Sequence, residues 1–179
     1  SGSGKSTTLR MINALIEPTD GNVYLHGKRI KDYDIRQLRH QLGYVLQQIA
    51  LFPTMTVAEN IELMPDVLGW PKAERKARVN ELLELVELDP AHYRDRYPHE
   101  LSGGEQQRLC IARAVVHQPS LLIADEPSAS LDRAYALDIM ELFKTFHEAG
   151  TTVIVAAHDE TLMADYGHRV LRLQKGRLA

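Results

Sequence analysis

Leu101-Ser102-Gly103-Gly104-Glu105-Gln106-Gln107-Arg108 is the stretch that decides the reading of this chain. A serine and two glycines open a helix here. Ser102 stands at the N-cap and Glu105 three residues on, which is the spacing of a capping box. The same turn offers free backbone N–H groups, a hydroxyl and the positive end of a helix dipole, the ingredients of an anion site. The two readings are compatible, because a cap that satisfies the helix also presents it.

Upstream, Ser1-Gly2-Ser3-Gly4-Lys5-Ser6-Thr7 holds Gly-Lys-Ser after a Gly-rich turn. Glycines let backbone N–H groups approach phosphate oxygens, and the helix that follows adds its dipole. In a P-loop the lysine reaches the β- and γ-phosphates and the serine hydroxyl ligates Mg²⁺. By itself the heptapeptide also reads as a Gly/Ser linker entering a helix. Downstream, Leu121-Leu122-Ile123-Ala124-Asp125-Glu126 is an apolar run ending in two carboxylates. Such a pair can simply cap the next helix. With a P-loop in the same chain, carboxylates at the end of a buried parallel strand point into a ligand crevice instead. Asp125 is then placed to hold Mg²⁺ through its water shell, and Glu126 to accept a proton from an attacking water. Two phosphate-cradling helix ends in one chain suggest a nucleotide held between two copies.

Around these motifs the pattern alternates strands with helices. Helices are expected over 5–16, 35–40, 102–117, 132–149 and 161–166, and strands over 22–25, 42–46, 121–124, 151–157 and 169–173. From Thr56 to Glu100 the texture is almost wholly helical. Val79, Leu82, Leu83 and Val86 form an apolar stripe there, and Pro71 suits a first helical turn. The expected fold is α/β, a mostly parallel sheet flanked by helices, with a P-loop core over 1–55 and 101–179 and a helical subdomain inserted over 56–100.

The 179 residues are 44% hydrophobic and 25% charged, ordinary for a globular domain. A net charge of −3 leaves no basic footprint for nucleic acid. Cys110 is the single cysteine, so no internal disulfide can form. No apolar run is long enough to span a bilayer. His26, His92 and His147 show no ligand spacing, and no zinc site is implied.

In their order these motifs resemble the ATP-binding cassette ATPases over essentially the whole chain. Gly2 to Thr7 matches the Walker A loop, Gln47 the Q-loop glutamine, Leu101 to Gln106 the signature and Leu121 to Glu126 Walker B with its catalytic glutamate. Ser130-Leu131-Asp132 matches the D-loop and His158 the switch histidine. The resemblance implies ATP and Mg²⁺ as cofactors. It implies ATP contacts from Ser1, Gly2, Ser3, Gly4, Lys5, Ser6 and Thr7, with Ser102, Gly103, Gly104, Glu105 and Asp132 acting in trans. Catalysis falls to Glu126, His158 and Gln47, and the metal to Ser6, Gln47 and Asp125. A second ATPase domain closing over the ATP is implied, as are separate permease subunits, attachment at the cytoplasmic face of a membrane, and a substrate-binding protein if the complex imports.

The first half is similar to ATPases of osmoprotectant importers of the glycine betaine, choline or proline type, on Leu15-Ile16-Glu17-Pro18-Thr19, Gly43 to Gln48, Leu51 to Val57 and Leu68-Gly69-Trp70. The second half is also similar to cell-division and lipoprotein-type ATPases, on Glu105 to Arg108, Ala124 to Pro127 and His168 to Leu171. The importer reading is preferred, because the helical insertion faces the membrane partner. A soluble, non-transport ATPase of the same class is the further alternative. The sequence reads as a fragment entered inside its phosphate loop, and it is expected to bind ATP less well than a chain extended upstream.

Overall fold

The structure is a computed structural model that describes residues 2–129 and 132–179. The chain opens with α1 (Lys5–Ile12), a hairpin of β1 (Tyr24–Leu25) and β2 (Lys28–Arg29), α2 (Ile35–His40) and β3 (Leu42–Val45). Three helices follow, α3 (Val57–Val67), α4 (Lys72–Leu85) and α5 (Pro90–Tyr93). Then come α6 (Gly103–Val115), β4 (Leu121–Asp125), α7 (Arg133–Glu148), β5 (Thr152–Ala156) and α8 (Glu160–Tyr166), and a closing hairpin of β6 (Leu173–Gln174) and β7 (Arg177–Leu178).

The sheet that organises the site has the order β3-β4-β5, all parallel. Val45 is level with Ala124, and Asp125 with Ala156, so the C-terminal ends of the three strands finish close together. All five residues of β4 are buried, as a central strand covered on both faces requires. One face packs against α1 and α2 through Leu9, Leu38, Leu42, Leu121 and Ile123. The other belongs to a larger core containing Leu122, Ala124, Leu109, Ile139 and Phe143.

The helical stretch joins that larger core. Val79, Leu82, Leu83 and Val86 are all fully buried, so the stripe read from spacing is the packing face of α4. Each such side chain contributes about 1.5–3 kcal/mol of burial. Pro71 is the residue before α4 rather than a member of it. A reciprocal capping box starts α3: the Thr56 N–H donates to Glu59 at 2.7 Å, and the Glu59 N–H donates to Thr56 Oγ1 at 3.2 Å.

Four expected elements differ in extent. The first helix stops at Ile12, not Ile16, because Asn13 Oδ1 takes the Leu15 N–H and Ala14 turns to a φ of 54°. The strand expected from Asn22 pairs only from Tyr24, where β2 supplies a ladder. The strand expected over 151–157 is not buried throughout: Thr152 is exposed and 153–155 are half-buried, since β5 pairs with β4 on one side only among the described residues. The strand expected over 169–173 is confined to Leu173–Gln174, because only the return of the chain through β7 hydrogen-bonds to it.

His117 follows the end of α6. Burial, and secondarily the neighbouring His40, holds its imidazole below the ordinary histidine range. The folded chain therefore keeps His117 neutral at a pH where the unfolded chain protonates it. Stability from this group is complete above the unfolded value and is lost as pH falls below it. The thermal midpoint of the wild type is expected to drop between pH 7 and 5.5 by more than that of His117→Gln. Parallel curves for the two proteins would contradict this.

Candidate functional site

The site forms where α1 begins and β4 and β5 end. Gly4 stands at the N-cap of α1 with a φ of 95°, a left-handed conformation that glycine adopts freely. No side chain caps this helix end, so the first-turn N–H groups face outward as donors. Together with the helix dipole they make an anion site. Lys5 and Ser6 are the first two residues of the helix and project from the same end.

The two carboxylates of β4 meet these residues separately. The Ser6 hydroxyl donates to Asp125 Oδ1 at 3.0 Å. Lys5 Nζ lies 3.6 Å from Glu126 Oε1 and 3.3 Å from His158 Nδ1. His158 Nε2 is 2.8 Å from the same Glu126 oxygen. A lysine, a histidine and a glutamate thus form one closed set of contacts, from residues 5, 126 and 158. Asp125 and Glu126 are only 3% and 8% exposed, so both charges depend on these partners. Glu126 has a φ of 53°, and its N–H donates to Ala156 O at 2.8 Å. That turn takes its carboxylate away from the strand direction and toward Lys5 and His158, at a conformational cost of about 1–3 kcal/mol.

The fit for a hard divalent cation can be judged from the donors. Ser6 and Asp125 bring a hydroxyl and a carboxylate together, both hard oxygen ligands. No cation pairs with the buried Asp125 among the described residues. A Mg²⁺ that completes its shell with waters and phosphate oxygens suits two such protein ligands. Among the described residues no three His, Cys, Asp or Glu side chains form a cluster of their own for a metal.

The second helix end is built differently. The Ser102 N–H donates to Glu105 Oε2 at 2.7 Å, and the Ser102 hydroxyl donates to the same oxygen at 2.8 Å. Tyr93 donates to Glu105 Oε1 at 2.6 Å, which holds the Glu105 carboxyl below its ordinary range. Gly104 lies against Tyr135: a Cβ there would come within 2.4 Å of the ring. Arg108, buried, donates to Val86 O at 3.1 Å and pairs with Glu87 and Asp138, tying α6 to the end of α4 and to α7. Among the described residues, no hydrogen bond or ion pair joins 102–105 to Lys5, Ser6, Asp125, Glu126 or His158.

The structure therefore brings Lys5, Ser6, Asp125, Glu126 and His158 together, with Gly2, Ser3, Gly4 and Thr7 in the adjoining loop and first turn. Gln47 is exposed two residues beyond β3 and makes no hydrogen bond among the described residues. Asp132 caps α7, accepting from the Tyr135 N–H at 3.0 Å. Ser1, Ser130 and Leu131 lie outside the described residues. The sequence reading passed over Tyr93 and Tyr135, since nothing in their local spacing marks a tyrosine as the brace of a distant turn. It also passed over Tyr44. Burial first, then the negative charge of Asp125, raises that hydroxyl above the ordinary tyrosine value.

Known proteins resemble this chain in sequence and fold. A family profile described as ABC transporter matches residues 1–129. A choline transport ATP-binding protein of Bacillus subtilis is 44% identical over 182 residues, covering 99% of this chain and 47% of that protein. An osmoprotectant import ATP-binding protein of Salmonella typhimurium is 42% identical, again over 99% of this chain and 47% of that protein. The chain thus spans about half the length of the curated relatives it matches. An ATP-binding cassette solved as a dimer in a post-hydrolysis state, bound to ADP and Pi, superposes with a TM-score of 0.85 at 38% identity. The match covers 98% of this chain and 78% of that one.

Proposed function

The chain belongs to the ABC transporter family, and on that premise we propose that it is the ATP-binding and ATP-hydrolysing core of an importer's ATPase subunit, working for a small osmoprotectant or quaternary amine. The observation that carries the reading is the convergence of Lys5, Glu126 and His158 beside the Ser6–Asp125 contact, at the uncapped end of α1. Phosphates bind the free N–H groups of that helix end, and Lys5 exchanges its Glu126 contact for phosphate oxygens. Ser6 and Asp125 hold Mg²⁺, which when bound neutralises phosphate charge and orients the phosphate chain. Glu126, freed from Lys5, accepts the proton of the attacking water. His158 stays within reach of both the Glu126 carboxylate and the phosphate end of Lys5, so it orients the base and donates to the separating phosphate.

Among the described residues no hydrogen bond or ion pair joins the Ser102–Gly103–Gly104 turn to this set. That supports a role across a dimer, with Asp132 beside it and residues 56–100 acting as a helical subdomain toward membrane subunits. The names of the two relatives support the importer class, and the dimeric cassette supports the sandwich. No helix of the described residues is long and apolar enough to cross a membrane. The transport names of the two relatives support permease subunits at the cytoplasmic face as partners, with a substrate-binding protein delivering solute.

Nucleotide titration and phosphate release test the first part. The full-length protein is expected to bind ATP and release phosphate. Lys5→Ala is expected to weaken binding by about 10- to 100-fold, the worth of a hydrogen bond to a charged group. Equal affinities would overturn the site assignment. Reconstitution with permease subunits and a betaine-binding protein tests the second: turnover that rises on adding solute supports import, and turnover indifferent to it overturns that class.

A further inference from the structure

One buried polar group near the site has no use in the mechanism above. The Tyr44 hydroxyl is sealed from solvent and makes no well-aligned hydrogen bond among the described residues, and the charges it faces are the Asp125 carboxylate and the Arg10 guanidinium. A buried hydroxyl left in that state costs roughly 1–3 kcal/mol, and such orphans call for a reason in an otherwise well-packed core. The rest of the residue is well used. It packs, partly buried, against the core cluster that contains Leu9, Leu42 and Ile123 beneath α1. A phenylalanine would keep that packing without the orphaned oxygen.

The register of the sheet supplies the reason. Tyr44 on β3 is level with Ile123 on β4, and Asp125 follows Ile123 by two residues on the same face. Two residues of strand advance about 6.6 Å, and neighbouring strands lie about 4.8 Å apart. Side chains in strands lean along the strand direction, so a long phenol from Tyr44 heads for the carboxylate end of β4. Above it, Ser6 and Arg10 are one helical turn apart on α1, and Ser6 already donates to Asp125 Oδ1 at 3.0 Å. No hydrogen bond among the described residues reaches Asp125 Oδ2. Asp125 thus has one oxygen engaged by Ser6 and one to spare, on the face that Tyr44 shares.

Resting on the metal–nucleotide reading of Ser6 and Asp125, we propose that Tyr44 is a positioning residue of that metal site: its hydroxyl donates to the water shell that Asp125 holds around the bound cation. Tyr44 touches neither nucleotide nor metal in this role. It fixes the orientation of a water, and through it the Asp125 carboxylate, as outer hydrogen bonds do around metal ligands. The orphaned hydroxyl is then a cost in the metal-free chain that is recovered when the hydrated cation arrives.

Mn²⁺ serves as the probe, followed by electron paramagnetic resonance during titration of the full-length protein with saturating ATP analogue. Nucleotide binding in EDTA and thermal unfolding without ligands are read in parallel. Tyr44→Phe is expected to raise the Mn²⁺ concentration at half-saturation by about tenfold, the lower end of the usual effect of an outer-shell partner. Nucleotide affinity in EDTA stays unchanged, and the ligand-free thermal midpoint stays level or rises, because an unsatisfied group has gone. A purely structural role would move those last two readouts instead. The proposal is overturned if the variant binds Mn²⁺ like the wild type, or if its EDTA affinity and ligand-free midpoint fall together. A wild type that fails to bind Mn²⁺ with nucleotide at all would overturn the underlying metal-site reading, a result distinct from either.

Discussion

Glu126→Gln is expected to lower the rate of phosphate release by about 10²- to 10⁴-fold, the usual contribution of a general base. It is also expected to leave ATP binding intact or tighter. The substitution keeps the volume of the side chain and its hydrogen bond to His158, since an amide both donates and accepts. It removes the ability to take a proton from water. It also removes a buried carboxylate that stands 3.6 Å from Lys5 and is 8% exposed, so it competes with phosphate for that ammonium. The two effects point in opposite directions, and together they separate catalysis from binding. Single-turnover phosphate release and nucleotide titration on the same preparation measure both. Turnover within tenfold of the wild type would remove Glu126 from the role of base and leave it as a structural partner of Lys5.

The second large effect is on stability. Asn60 sits fully buried in α3 and uses its whole amide. Its Nδ2 donates to Phe52 O at 3.1 Å, Met55 O at 3.1 Å and Thr56 O at 2.9 Å, and its Oδ1 accepts from the Phe52 N–H at 2.9 Å. The segment from Phe52 to Thr56 has no ladder of its own, so this one side chain stands in for secondary structure. Asn60→Ala leaves the Phe52, Met55 and Thr56 groups without their amide partner and opens a cavity. A loss of about 3 kcal/mol is expected, which for a chain of this size is a fall in thermal midpoint on the order of 10 °C. Asn60→Asp keeps the acceptor side but sets a buried carboxylate oxygen against three carbonyl oxygens, so it is expected to be no more stable than Asn60→Ala. An Asn60→Ala midpoint within about 2 °C of the wild type would mean that water replaces the amide at little cost.

The elements of the fold were legible where their signals are local. The capping box read at Ser102–Glu105 is present. The apolar stripe Val79-Leu82-Leu83-Val86 and the apolar strand Leu121–Asp125 are continuous patterns that report burial directly. Element ends were legible only in part. Leu15 and Ile16 extend the helical pattern of α1, but the Asn13 side chain takes the backbone first. Val170 and Leu171 have strand composition and stay half or more exposed, at 50% and 61%, where no neighbouring strand receives them.

By its order of motifs alone the sequence determined the family and the α/β class, and it named the candidates for phosphate and metal: Gly4-Lys5-Ser6, Ser102-Gly103-Gly104, Asp125-Glu126 and His158. Each is a short run whose chemistry follows from residue type at fixed spacing. Only the tertiary structure decided which of them meet. Lys5 and His158 are 153 positions apart and lie 3.3 Å from each other. Ser6 and Asp125 are 119 apart and lie 3.0 Å from each other. The roles of Asn60 and Tyr93 likewise rest on partners supplied by packing. The physical reason is the parallel register of β3, β4 and β5, which sets Val45 beside Ala124 and Asp125 beside Ala156. That register brings the strand ends to one edge under α1, and no local spacing in the chain encodes it.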